Sequence, residues 1–118
     1  MCMYARVRVF RHLETAKGNR KGDGPLRESY VEQKLATEAK KRGGLAVKFV
    51  SPGFDGVPDR LVLFPGGKVA FVEVKAPGKK MRPLQVRRAG QLRMLGFQVY
   101  CVDRTDMIGG VLDEIRTS

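Results

Sequence analysis

The chain has 118 residues, room for one domain around one hydrophobic core and too few for a second of similar size. Lys and Arg number 23 against 12 Asp and Glu, a formal charge of +11, so the surface attracts polyanions, of which nucleic acid is the commonest. Two cysteines, Cys2 and Cys101, and a single histidine, His12, argue against a disulfide framework and exclude four-cysteine and multi-histidine zinc sites.

Residues 1–24 read as a basic N-terminal arm or short strand, alternating over 3–10 and ending in a glycine-rich stretch. Residues 25–118 read as one domain. Pro25 suits the first turn of a helix, where its missing N–H costs nothing. Tyr30, Val31, Leu35 and Ala39 recur at helical spacing and Gly43-Gly44 closes the run, which predicts a helix over 26–42. Residues 45–51 are apolar and β-branched, a first strand. Residues 52–58 are a loop, 59–64 a second strand, 65–67 a tight turn and 68–75 a third strand, broken by Pro77-Gly78. Pro83 opens a second helix, with Leu84, Arg88, Gln91, Leu92 and Leu95 near one face and Gly96 as its stop. Residues 97–102 are a fourth strand. Asp106 is the expected cap of a last helix whose Ile108, Val111, Leu112 and Ile115 make a core stripe. Short turns make the first three strands an antiparallel meander, and the second helix is a crossover that sets strand four parallel to strand three. The expected fold class is α/β, a mixed four-stranded sheet flanked by helices.

The hairpin between strands two and three carries the chemistry. If it pairs symmetrically about Gly66, with no bulge, Asp59 lies directly opposite Glu73 on one face. Two facing carboxylates repel, and a hard divalent cation such as Mg²⁺ reverses the sign of that interaction. Lys75, two residues past Glu73, points to the same face and is placed to serve an attacking water or the charge on a phosphate. Val69 and Phe71 share this face, so the charges should end an otherwise buried surface. Glu32 sits beside the apolar stripe of the first helix and is the third candidate carboxylate, with Glu28 and Glu38 as alternatives on the same helix. From Lys75 to Arg93 seven basic residues run without an acid, among them Lys79, Lys80, Arg82, Arg87, Arg88 and Arg93, a candidate phosphate-binding run. A Walker-A loop is absent, and Ser29 and Ser51 have no histidine near them in sequence.

Four pieces together resemble the VRR-NUC (virus-type replication-repair nuclease) domain of the PD-(D/E)xK superfamily. They are Glu32-x-x-Leu35, Gly56-Val57-Pro58-Asp59, Glu73-Val74-Lys75-Ala76-Pro77 and Pro83-Leu84-Gln85, covering roughly residues 28–103. The resemblance implies a restriction-endonuclease-like αβββαβ core. It implies that Asp59 and Glu73 hold Mg²⁺ or Mn²⁺ with the Val74 backbone carbonyl, and that Glu32 completes the site directly or through water. It implies that Lys75 serves the nucleophile and that Gln85 positions phosphate or water, supported by Arg88 and Gln91. Stand-alone phage or viral members imply a homodimeric, Holliday junction resolvase-like DNA endonuclease. A nuclease for flaps or duplex ends, or a non-catalytic nucleic-acid-binding module, are the alternatives. No run approaches the roughly 20 apolar residues of a membrane span and the basic N-terminus lacks an apolar signal core, so a cytoplasmic location and no membrane partner are expected.

Overall fold

A computed structural model describes residues 27–118; the expected arm or strand over 1–24, and Pro25, lie outside the described residues. The order is α1 (Arg27–Lys41), β1 (Leu45–Lys48), β2 (Arg60–Phe64), β3 (Lys68–Val74), α2 (Pro83–Met94), β4 (Gln98–Val102), a 3₁₀ turn (Thr105–Met107) and α3 (Ile108–Arg116). The sheet runs β1-β2-β3-β4, antiparallel except for the β3–β4 pair, as the connection lengths require. No helix among the described residues is long and apolar enough to cross a membrane.

One face of the sheet holds the core. Val62, Phe64, Ala70, Val72, Val74, Tyr100 and Val102 alternate inward, and meet Val31, Leu35 and Ala39 of α1 and Ile108, Val111, Leu112 and Ile115 of α3. Tyr30, expected in the α1 stripe, is exposed instead, because the inward row is the four-residue repeat 31-35-39. Arg42, just past α1, donates to Glu38 and to Asp113 of α3, fastening the two helices at one end. Glu38 is consequently held well below the usual carboxylate range, at about 2, chiefly by the Arg42 hydrogen bond.

The second face is open. Leu45, Val47, Leu61, Leu63, Val69, Phe71 and Val99 line it by register. Phe49, Phe71 and Phe97 stack edge to face in series, with 5.7 Å between successive ring centroids. Among the described residues only α2 lies here, at the β4 side; Val69 and Phe97 are exposed, and the expectation of a buried surface around Glu73 fails for this part of the face. Two further expectations change. The first strand stops at Lys48 rather than 51, because β2 offers it no partner beyond Asp59, whose carbonyl takes the Phe49 N–H. Asp106 does not cap α3; it lies in the 3₁₀ turn and pairs with Arg104.

Candidate active site

The β2–β3 hairpin has the symmetric register with no bulge, Arg60 opposite Val72 and Phe64 opposite Lys68. Gly66 and Gly67 both take positive φ, which closes the turn without a Cβ clash. Asp59 therefore arrives beside Glu73, one position beyond the last paired residue of β2. Its Oδ1 accepts the Val74 N–H at 3.2 Å, and its own carbonyl accepts from Phe49. These two bonds hold Asp59 from the sheet side.

Glu73 is buried, 5% exposed. Its Oε2 accepts from Gln85 Nε2 at 2.9 Å and lies 3.5 Å from Lys75 Nζ. Its Oε1 is buried with no hydrogen-bond partner among the described residues. Leaving a buried carboxylate oxygen unpaired is costly, and burial, with the nearby Asp59 charge, pushes the Glu73 carboxyl up to about 7 despite Lys75. Burial raises Asp59 as well. An unfilled acceptor among carboxylate oxygens is the donor chemistry that a hard divalent cation takes.

Each neighbour is positioned by its own element. The Lys75 backbone N–H donates to the Val102 carbonyl, which carries the β3–β4 ladder one residue past the strand. Asp103, buried just after β4, accepts the Gly78 N–H and ties down the loop that follows Lys75. Gln85 is the third residue of α2; its Oε1 accepts the Arg82 N–H at 2.8 Å, so its amide nitrogen is left to face Glu73. This inward glutamine turns α2. Gln85 and Ala89 are its buried residues, whereas Leu84 and Leu95, expected near one face of the helix, are exposed.

Glu32 lies at the edge of the α1 stripe, half-buried, with Oε1 3.2 Å from Arg60 Nη2. Glu28, Glu32 and Asp59 bring carboxylate oxygens within 4.8 Å of one another. Glu32 thus meets Asp59 at the end of the sheet, while Glu38 is committed to Lys34, Lys41 and Arg42. Sequence reasoning missed Arg60, the counter-charge to Glu32, and Asp103. Arg60 was legible in part, since alternation sets it on the same side as Val62 and Phe64, facing α1.

The basic run divides in two. Lys79, Lys80, Arg82 and Arg87 are exposed. Arg88 Nε donates to the Asp55 carbonyl at 2.7 Å, and Arg93 Nη2 donates to the Val99 carbonyl at 3.2 Å.

An α-β-β-β-α-β order, with carboxylates and a lysine gathered where β2 and β3 end, defines the PD-(D/E)xK class of nuclease fold. A solved structure of a VRR_NUC domain superposes with a TM-score of 0.69 and 31% identity, covering 74% of this chain and 95% of that one. The chain is also 52% identical over 82 residues to "Putative nuclease p44" of Acyrthosiphon pisum secondary endosymbiont phage 1, spanning 70% of this chain and 88% of the phage protein. No protein-family model matches. The chain belongs to the VRR-NUC family, in its phage-type branch.

Proposed function

We propose that this protein is a Mg²⁺- or Mn²⁺-dependent DNA endonuclease that cuts branched DNA, in the manner of a Holliday junction resolvase, as a homodimer. The nuclease reading is supported by the family and by the name of the phage relative. The single observation that carries the chemistry is the buried, unpartnered Glu73 Oε1 beside Asp59. Asp59 and Glu73, with the Val74 carbonyl and Glu32, are the residues that would hold the cation. When bound, it supplies Lewis-acid polarisation of the scissile phosphate and a more acidic water.

The chain's own residues do the rest. Gln85 holds Glu73 in one rotamer through a hydrogen bond. Lys75 brings a positive charge to the same carboxylate, within reach of a nucleophilic water or of the charge that builds on phosphate. Lys79, Lys80, Arg82 and Arg87 are exposed beside it and suit sequence-independent contact with the sugar–phosphate backbone. The open apolar face of the sheet supports a homodimer, since it exposes Leu45, Val47, Val69 and Phe97 together. Two symmetric sites match the two symmetric strands of a four-way junction. The cytoplasm of a bacterial or phage-infected cell, where such DNA is found, is the compartment this reading assigns.

The test is cleavage of a labelled four-way junction beside flap and linear duplex, with Mg²⁺, Mn²⁺ or EDTA. Paired nicks that need the cation are expected at the junction. Asp59→Asn and Lys75→Ala should each lower cleavage by about 10³-fold or more, in the range for losing an electrostatic catalytic group, with DNA binding retained. Cation-dependent cutting of flaps or ends alone discards the resolvase reading. Wild-type rates in either variant discard the site. DNA binding without any cutting leaves a non-catalytic module.

A further inference from the structure

We propose that Arg88 is a positioning residue of the active site. It clamps the loop that delivers Asp59 to the helix that delivers Gln85, and so sets the affinity of the site for its cation. This inference rests on the cation reading above.

The segment 50–58 has no regular structure, and both Gly53 and Gly56 take positive φ. Among the described residues, its internal backbone bonding is the Phe54 N–H to the Ser51 carbonyl. Asp59 is the first residue after it: its bonds to Val74 and Phe49 hold it to the sheet, and what holds the loop fixes it from the other side. Arg88 holds the loop through two contacts. Its Nε donates to the Asp55 carbonyl at 2.7 Å, and its guanidinium carbon stands 4.1 Å from the centre of the Phe54 ring. Its Nη1 donates to Gln91 Oε1 at 2.9 Å, so the next turn of α2 steadies the planar group from behind. Beside this contact Gly56 packs against the helix with no room for a side chain: a Cβ there would lie 2.7 Å from Leu84 Cγ and 3.1 Å from Arg88 Cγ.

One turn earlier on the same helix, Gln85 grips Glu73. α2 therefore holds both carboxylates, Glu73 through Gln85 and Asp59 through the clamped loop. Like charges drift apart when nothing holds them, and a cation binds more tightly where its ligands are already held at the right separation. Arg88 is thus unlike its neighbour Arg87: its guanidinium is committed to a carbonyl, a ring and an amide, whereas Arg87 stays exposed for phosphate.

The experiment is Mn²⁺ binding to the full chain without DNA, by calorimetry and by the electron spin resonance of free Mn²⁺, for wild type, Arg88→Ala, Arg88→Lys and Phe54→Ala. Arg88→Ala should bind Mn²⁺ roughly tenfold more weakly, the size of one lost charge-assisted hydrogen bond. Its cleavage should recover towards the wild-type rate as Mn²⁺ is raised. Arg88→Lys keeps the charge but loses the planar fork, so it restores only part of the affinity. DNA binding in EDTA should stay within about twofold of wild type for Arg88→Ala, and should fall in Lys80→Ala. An unchanged Mn²⁺ affinity in folded Arg88→Ala overturns the clamp. So does a loss of DNA binding in EDTA as large as that of Lys80→Ala, which would make Arg88 a phosphate ligand. If Arg88→Ala does not fold, Arg88→Lys and Phe54→Ala decide, and unchanged affinity in both overturns it. A wild type that binds no Mn²⁺ overturns the cation reading and the clamp together; a wild type that binds, with variants that match it, overturns the clamp alone.

Discussion

Glu73 meets two opposed demands, since the fold buries it and the proposed cation chemistry needs it charged. Burial, with Asp59 beside it, lifts its carboxyl from an ordinary 4.5 to about 7. Across that window the folded protein holds a proton that the unfolded chain has released. Stability contributed by this group is therefore fully present below the unfolded value, falls as pH rises towards 7, and is level above it. Asp59, raised by burial, acts with the same sign. A divalent cation favours the ionised form, so the stabilisation it gives should grow over the same range. Thermal melts in EDTA should show the melting temperature of wild type falling, relative to Glu73→Gln, from about pH 4.5 to 7. Mn²⁺ should remove that slope. Parallel curves for the two proteins, with and without Mn²⁺, would mean that Glu73 does not carry the proton its burial implies.

At the scale of elements, the turn between α1 and β1 sets where α1, and with it Glu32, sits against the sheet. Gly44 faces β2 there: a Cβ would come within 2.4 Å of both the Leu63 carbonyl oxygen and Phe64 Cδ1. Gly44→Ala must push the backbone of one element off the other, at a cost of about 1–3 kcal/mol. Gly43 has φ +88 but open space around it, so Gly43→Ala should cost only about 1 kcal/mol, from backbone strain alone. Urea unfolding of the pair measures both, and equal losses would show that the close approach at Gly44 is not what limits that position. The same scale separates what was legible in the chain from what was not. The hairpin register, hence Asp59 beside Glu73, could be read because a short glycine turn leaves few ways to pair two strands. The α1 and α3 stripes could be read because apolar side chains recur on one row. α2 could not be oriented by that rule, because its inward anchor is polar: Gln85 is drawn in by Glu73, and Leu84 is left outside. The pairing of Glu32 with Arg60 joins residues 28 positions apart on different elements, and no local pattern encodes such a contact. The division of the basic run into exposed and committed arginines is likewise tertiary, since Arg87 and Arg88 differ only in what the fold places beside them.

At the scale of the whole molecule, the described residues present a charged surface and an apolar one. The charged one, with Lys79, Lys80, Arg82 and Arg87, should give DNA binding a steep salt dependence. Each of these changed to Ala should lower the slope of log affinity against log salt by about 0.9 on duplex DNA, if that side chain meets a phosphate. A slope that no substitution moves would place the DNA elsewhere. The apolar surface is the open side of the sheet. It ends at Glu73 and Lys75, and among the described residues α2 covers only its β4 side, with Leu45 51% and Val47 39% exposed on edge strand β1. Apolar side chains gathered on one face, rather than scattered singly, mark a contact surface. A second copy laid on the same face would be related by a two-fold axis, which is the arrangement that two matched nicks require. Val47→Lys puts a charge into the middle of β1 without touching the core or the candidate site, and should convert a dimer into a monomer in sedimentation velocity. On a four-way junction that monomer should make single, unpaired nicks while the wild type cuts both strands in one encounter. If the wild type sediments as a monomer at micromolar concentration and still nicks in pairs, the open face does not join two copies, and each strand is cut by an independent binding event.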